Sequence, residues 1–168
     1  MKNIQEKSII SRDILATTSQ RFGNYIADIA IFYGFTFAIG AVLGLISEWT
    51  DNSIFIDWLD DATPLDDYLF SYAVLVSYYI ISEGLSQRTI GKYITNTIVV
   101  DEFGNKPPLK NIVVRSFCRL IPFDGLTFFN DSRGWHDRFS DTYLFKKNVL
   151  DRKISLEKDF DEIGKSEL

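Results

Sequence analysis

Two apolar segments separated by an acidic loop dominate the pattern of the chain. No charged residue occurs between Ile29 and Ile46, and this segment offers no polar face. At about 1.5 Å per residue it spans roughly 27 Å, close to the ~30 Å hydrocarbon core of a bilayer. The pattern predicts a membrane-spanning helix over about 25–47, interrupted only by Asp28. The alternative is a buried helix of a soluble core, but so small a chain rarely surrounds such a helix.

The second apolar segment is shorter, and its interpretation depends on the first. Residues Tyr68 to Ser82 carry no charge, and an extension past Glu83 to Gln87 reaches the length that a span needs. Next to the first helix, the segment is typical of the return span of a hairpin, over about 68–87.

The basic residues indicate the orientation of this hairpin. Residues 1–24 contain four of them, residues 48–67 contain none, and the other 14 follow Leu85, whereas 48–67 contain seven acids. Because short loops rich in Lys and Arg stay cytoplasmic, we expect both termini inside, 48–67 outside, and Trp49 and Trp58 at the outer interface. The first segment ends in SEWTD, without the small residues of a cleavage site, so it is expected to be an uncleaved anchor. We therefore expect a multi-pass protein of the cytoplasmic (inner) membrane.

The chain beyond the second span predicts small elements on the cytoplasmic side. A strand over 94–100 is expected to pair with a strand over 142–146. Residues 109–121 are typical of an amphipathic helix lying at the interface, and 125–129 of a short re-entrant piece. Residues 1–15 then form an N-terminal cytoplasmic segment, 16–146 the membrane domain and 147–168 a polar tail. The predicted fold is an all-α membrane protein with a two-span transmembrane helical hairpin, an amphipathic interfacial helix and a small cytoplasmic β-ribbon.

Charged residues within or beside the spans are the candidate site. An acid inside a membrane-spanning helix is a functional hypothesis by default, and Asp28 lies two turns from Arg21 on the same face. The alternative is that Asp28 and Glu83 pair with nearby cations only to set helix depth. Arg115 and Arg119 lie at i, i+4, where they either bind lipid phosphates or meet the two acids.

Small residues occupy the opposite face of the first span, including a G-x-x-x-G pair at Gly40 and Gly44. Such residues allow helix backbones to approach closely. This face is expected to pack on the second span of the same chain, and self-association is the alternative.

Composition excludes several classes of protein. The single Cys118 rules out an intrachain disulfide and a Cys-based zinc site, and a single histidine, His136, is too few for a His-rich metal site. The 168 residues carry a net charge of −5, which does not favour nucleic-acid binding. No P-loop, nucleophile or metal motif is present, so we expect no enzyme activity, no metal and no cofactor.

Three motifs resemble the RDD family of small bacterial integral membrane proteins. They are RFGNYIADIAI (21–31), QRTIGK (87–92) and RGWHDRFSDTYLF (133–145). By motif position, Arg21, Asp28 and Asp137 would be the arginine and two aspartates that name the family. The resemblance covers about 16–146 and implies a protein of the cytoplasmic membrane, with transport or cation/proton exchange in some members. The chain departs from the commoner layout at 109–129, which is short and charged for a third span.

Two functions therefore stay open. In the first, the protein is a transport-related or cation/proton-exchange module that acts as an oligomer, since two spans cannot enclose a pathway. In the second, it is a membrane-anchored scaffold or accessory subunit with no transport activity of its own. Expected partners are the bilayer, with anionic lipid headgroups on its cytoplasmic side, and a second copy or a membrane partner protein. The predicted site is a polar cluster at the inner leaflet: Arg21, Asp28, Glu83, Lys92, Arg115, Arg119 and Asp137.

Overall fold

Helices dominate the computed structural model, which describes residues 10–121, 124–127 and 133–166. Two long helices are joined through one short helix, and a set of short elements and a 20-residue helix follow them. In chain order the elements are α1 (Thr18–Thr50), α2 (Ile54–Asp61), α3 (Pro64–Ser86), α4 (Ile90–Ile94), β1 (Thr97–Val100), α5 (Leu109–Cys118), α6 (Asp124–Thr127), α7 (Trp135–Phe139), β2 (Tyr143–Lys146) and α8 (Lys147–Ser166).

The two long helices begin and end at residues with clear local signals. Thr17 starts α1 with a capping box, in which its hydroxyl accepts from the Gln20 N–H and the Gln20 side chain accepts from the Thr17 N–H. Thr63 starts α3 in the same way with Asp66. Left-handed residues, Asp51 at φ 52° and Gln87 at φ 60°, end the two helices.

Both long helices expose apolar side chains, as membrane-spanning helices do. Phe37 is 80% exposed and Phe35 63% exposed on α1, and Leu69 is 60% exposed on α3. None of the most apolar stretch of α1 is buried. Both helices have the length and composition to cross a membrane, whereas the core helix of a soluble protein would be mostly buried. The prediction of two spans within a mostly helical fold is confirmed to this extent.

The spans pack on the short elements more than on each other. α1 packs mainly on α4, and α3 packs mainly on α5. Within the described residues, nothing lies within 4 Å of a side-chain position at Gly34, Gly40 or Gly44. The expectation that this small-residue face packs on the second span is therefore wrong at these glycines, because α1 is held through its opposite, polar end.

The small β-ribbon is confirmed, with shorter strands than predicted. β1 and β2 pair antiparallel, from Thr97 opposite Lys146 to Val100 opposite Tyr143. The first strand begins at Thr97 and not at residue 94, because residues 90–94 form α4. The ribbon forms a small core with the segment before α1 and the first turn of α8, in which the buried residues are Ile14, Val100, Phe145 and Leu150.

Helix α5 buries apolar and polar residues together. Its buried residues are Ile112, Arg115 and Ser116, whereas Leu109 is 61% exposed and Phe117 54% exposed. The helix ends at Cys118, short of residue 121. Of the two alternatives for Arg115 and Arg119, the structure has the meeting with an acid of the spans, since both arginines contact Glu83. Of the proposed re-entrant piece, residues 125–127 belong to α6, and 128–129 lie outside the described residues.

Candidate functional site

Asp28 of α1 is buried and engaged by several polar groups at once. Its carboxylate accepts hydrogen bonds from the Thr89 hydroxyl at 2.8 Å, the Gly91 N–H at 2.9 Å and the Tyr78 hydroxyl at 3.2 Å. Lys92 Nζ lies 3.9 Å from the same carboxylate. The Gly91 N–H is one of the first donors of α4, which have no partner inside a helix. Asp28 therefore ties α1 to both α3 and the start of α4.

Gly91 makes this approach of α1 and α4 possible. A Cβ at this position would lie 2.7 Å from the Asn24 carbonyl oxygen and 2.8 Å from Asp28 Oδ1. Both distances are shorter than any ordinary van der Waals contact. Only a glycine allows the Gly91 N–H to reach the Asp28 carboxylate without moving one helix away from the other.

Glu83, near the end of α3, is the carboxylate with the most cationic partners. Lys92 Nζ lies 3.0 Å from Oε1, Arg119 Nη2 lies 3.2 Å from Oε1, and Arg115 Nε lies 3.0 Å from Oε2. The residue is completely buried. A carboxylate removed from water requires such compensation, because an isolated buried charge is strongly unfavourable.

Asp137, in α7, bridges two arginines that come from distant parts of the chain. Arg21 of α1 and Arg115 of α5 each form an ion pair with one oxygen of this carboxylate. Arg115 also donates to the Thr142 hydroxyl at 2.6 Å. Burial acts to raise the pKa of Asp137, but the charges of Arg115 and Arg21 outweigh it and hold the pKa well below its ordinary value.

The structure brings all seven predicted site residues into one connected set of contacts, which we call the buried ion-pair network. It runs from Arg21 through Asp137, Arg115 and Glu83 to Lys92, which also lies beside Asp28. Arg119 joins at Glu83, and its guanidinium stacks on the Tyr79 ring at 4.1 Å. Arg119 has a side chain that is 15% exposed; the other six are buried.

This network leaves donors without acceptors. Among the described residues, no acceptor makes a hydrogen bond with Arg21 Nε or Nη2, Arg115 Nη2, or Arg119 Nε. Buried unpaired donors are uncommon in proteins because each loses its bond to water without replacement.

Sequence reasoning missed a second acid–base pair beside the network. His136 Nδ1 lies 2.5 Å from Asp124 Oδ2, and the His136 backbone N–H donates to Asp124 Oδ1 at 3.0 Å. Burial lowers the pKa of His136 to about 4, although Asp137 acts in the opposite direction. His136 is therefore neutral at pH 7, and its Nδ1–H donates to Asp124. Neither residue was a candidate, because 12 positions separate them and no local motif joins them.

Other missed residues position the network. Arg88 donates to the carbonyl oxygens of Thr97 at 2.9 Å and Lys92 at 3.1 Å, which joins α4 to the ribbon. Asn24 donates to the Thr97 hydroxyl at 3.0 Å. Single polar residues such as Arg88 and Asn24 cannot be recognised from the sequence, since their hydrogen-bond partners are determined by the fold.

A cavity of about 570 Å³ extends from the network up between the two spans. We call it the interspan cavity. Its polar end contains four basic and two acidic side chains besides His136: Arg21, Lys92, Arg115, Arg119, Asp28 and Asp124. Its other walls are aromatic and aliphatic, and reach Tyr33 on α1 and Tyr68 on α3. A volume of this size is typical of a ligand site.

Comparisons with known proteins add a family relationship. The family model described as RDD family matches residues 15–141, about three quarters of the chain. All seven network residues lie inside this range. No curated protein and no solved structure matches the chain. Within the described residues, no three His, Cys, Asp or Glu side chains come together as a metal site requires.

The close approach at Gly91 leads to a prediction about stability. Gly91→Ala should lower the free energy of unfolding by about 1–3 kcal/mol, because the added methyl group clashes with two atoms of α1. Thermal unfolding in detergent measures the change. Gly84→Ala is the control, since its Cβ would lie at an ordinary 3.5 Å from Leu109. An equal effect of the two substitutions would contradict the tight contact between α1 and α4.

The lowered pKa of His136 predicts loss of stability in mild acid. The unfolded chain protonates this histidine below about pH 6.5, whereas the folded protein does so only near pH 4. Stability should therefore be complete above pH 6.5 and fall by about 3 kcal/mol as the pH drops to 4. Thermal unfolding across this range tests the prediction. His136→Asn keeps an amide donor for Asp124 and should flatten the profile; a flat profile for the unsubstituted protein would refute the prediction.

Proposed function

The chain belongs to the RDD family, and from this premise we propose that it is a multi-pass protein of the cytoplasmic (inner) membrane with both termini in the cytoplasm. The distribution of charge supports this orientation. The ribbon, α5 and α8 carry basic residues, whereas the loop and helix between α1 and α3 carry acids and no bases. Basic segments stay on the cytoplasmic side.

Labelling of introduced cysteines tests the orientation. In a Cys118→Ser background, Asn52→Cys lies between α1 and α2 and Asn105→Cys in the turn after β1, and both positions are exposed. A membrane-impermeant maleimide applied to intact spheroplasts should label the first and not the second. Lysed spheroplasts, in which both should react, are the control. Labelling of Asn105→Cys alone would reverse the proposed orientation.

For the molecular role we propose a non-enzymatic, transport-related module that holds its cargo in the interspan cavity. The supporting observation is the continuity of this cavity, which joins the buried ion-pair network to the space between two apolar helices. The contacts of the His136 ring are consistent with a positioning role, since its Nδ1 bonds Asp124 and its Nε2 lies 3.6 Å from the Asp137 carboxylate.

The charge of the lining favours some cargoes over others. Four basic groups against two acids make the polar end of the cavity a poor site for a bare cation. The carboxylate of Asp28 is already occupied by Thr89, Gly91 and Tyr78. Cation/proton exchange, as the family resemblance implies, would therefore need rearrangement of the network, whereas an anion would not. Two spans cannot enclose a pathway alone, so the active form is proposed to be a homo-oligomer or a complex with a membrane partner.

A scaffold or accessory role is the second candidate, and the full engagement of Asp28 favours it. A carboxylate with three donors and a nearby lysine has the environment of a structural anchor. In this role the network only sets the depth and packing of the spans.

Reconstitution separates the two roles. Proteoliposomes containing only this protein should move protons or ions under an imposed Na⁺ or K⁺ gradient, measured with a luminal pH indicator, or move a labelled anionic lipid between leaflets, measured by dithionite quenching. Asp28→Asn should abolish the movement, because it removes the negative charge that holds Lys92 and the start of α4 at the polar end of the cavity. Asp60→Asn, on the exposed helix α2, is the control.

A second pair of variants leaves every charge in place. Ser71 lines the cavity and Ser77 does not, although both are exposed residues of α3. Ser71→Phe should block movement and Ser77→Phe should not. Folded protein that moves nothing in either assay would overturn the transport role and support the scaffold.

A further inference from the structure

The polar end of the interspan cavity has more donors than it can satisfy. Arg21 and Arg115 are 4% and 0% exposed, and both line the cavity. Each retains at least one guanidinium N–H without an acceptor among the described residues, and so does the neighbouring Arg119. Arginine presents a planar fork of donors that matches a carboxylate or a phosphate group. The chemistry of this end therefore suits an anionic group.

The net charge of the lining agrees with the donor excess. Lys92 adds a fourth cation, whereas Glu83 and Asp137, which neutralise much of the network, do not line the cavity. Asp28 and Asp124 do line it, but their oxygens already accept hydrogen bonds from Thr89, Gly91 and His136. An entering anion thus meets donors, and the acidic groups nearby are already engaged.

The remainder of the interspan cavity is long and largely apolar. On α1 it extends from Arg21 to Tyr33, a rise of about 18 Å at 1.5 Å per residue. Ile29, Phe32 and Leu75 form part of its wall between the spans. A small hydrated anion would make no use of this apolar wall. A hydrocarbon chain would bury its apolar surface against it.

We propose that the interspan cavity binds one anionic amphiphile, with its carboxylate or phosphate head against Arg21, Arg115 and Arg119 and its hydrocarbon chain along the apolar wall between α1 and α3. The inference deepens the proposed function, since it names the class of cargo held in the same cavity. The head satisfies donors that the protein leaves unpaired, and the chain fills the space between spans that pack little on each other.

Binding to the purified full-length protein tests the inference. Delipidated protein in a nonionic detergent is titrated with phosphatidylglycerol, phosphatidylcholine, oleate or inorganic phosphate, and bound species are counted by native mass spectrometry. Phosphatidylglycerol or oleate should bind at one per chain, about tenfold or more tightly than phosphatidylcholine. Equal binding of phosphatidylglycerol and phosphatidylcholine would overturn the proposal. Inorganic phosphate that binds as tightly as the amphiphile would do so too, since the apolar wall would then contribute nothing.

Two variants, each with a matched control, test the polar and the apolar end of the cavity separately. Arg119→Gln should weaken amphiphile binding by about tenfold, because it removes a charged donor, whereas Arg152→Gln on the exposed side of α8 should not. Ser71→Phe should weaken binding by narrowing the apolar part, and Ser77→Phe should not. If Arg119→Gln fails to fold, the serine pair decides, and unchanged binding in Ser71→Phe overturns the placement of the chain.

The outcome is distinguishable from the transport assays. Binding of the amphiphile without movement in proteoliposomes leaves this inference standing and overturns only the transport role. Ion movement by a protein that binds neither phosphatidylglycerol nor oleate overturns this inference and leaves transport intact.

Discussion

The side chain of Arg115 makes the contacts on which the arrangement at the ribbon end of the two long helices depends. It is fully buried, and it joins α5 to Glu83 of α3 and to Asp137 of α7. A guanidinium cannot lose its charge, so its burial requires both carboxylates to be present and correctly placed. Glu83 and Asp137 in turn hold Lys92 and Arg21, which extends the same requirement to α4 and α1.

A network of this kind contributes more to specificity than to stability. Removing two charges from water costs nearly as much as their attraction returns, but removing only one partner is strongly destabilising. Alternative packings of the short helices would leave at least one of these charges buried and alone. The close contact at Gly91 acts in the same direction, since α1 can approach α4 only where Asp28 meets the first N–H groups of that helix.

The same network determines the properties of the interspan cavity. Glu83 and Asp137 do not line the cavity, whereas the basic residues that pair with them do. The two spans make few contacts with each other, since α1 packs mainly on α4 and α3 mainly on α5. A basic floor under apolar walls therefore results directly from the way the ion pairs hold the two helices.

Much of the fold could be predicted from local patterns in the sequence. The two spans, their separation by an acidic loop, and the strands of the ribbon could be predicted because hydropathy, charge and β-branching act on neighbouring residues. The Thr17 and Thr63 capping boxes are local in the same sense. For Arg115 the sequence left two partners open, a lipid phosphate or an acid of the spans, and only the tertiary contact with Glu83 distinguishes them.

The ion-pair partners of the charged residues could not be predicted from local sequence patterns. Six of the network residues could be selected from the sequence because charges are costly within or beside a membrane span, whereas Asp137 was selected only from the motif that resembles the RDD family. Arg21 and Asp137 are 116 positions apart, and nothing local joins Asp124 to His136. The sequence by itself determined which segments are apolar and which charges need partners. Only the tertiary structure decided which carboxylate each cation meets and that a cavity lies above them, because those contacts depend on how distant helices pack.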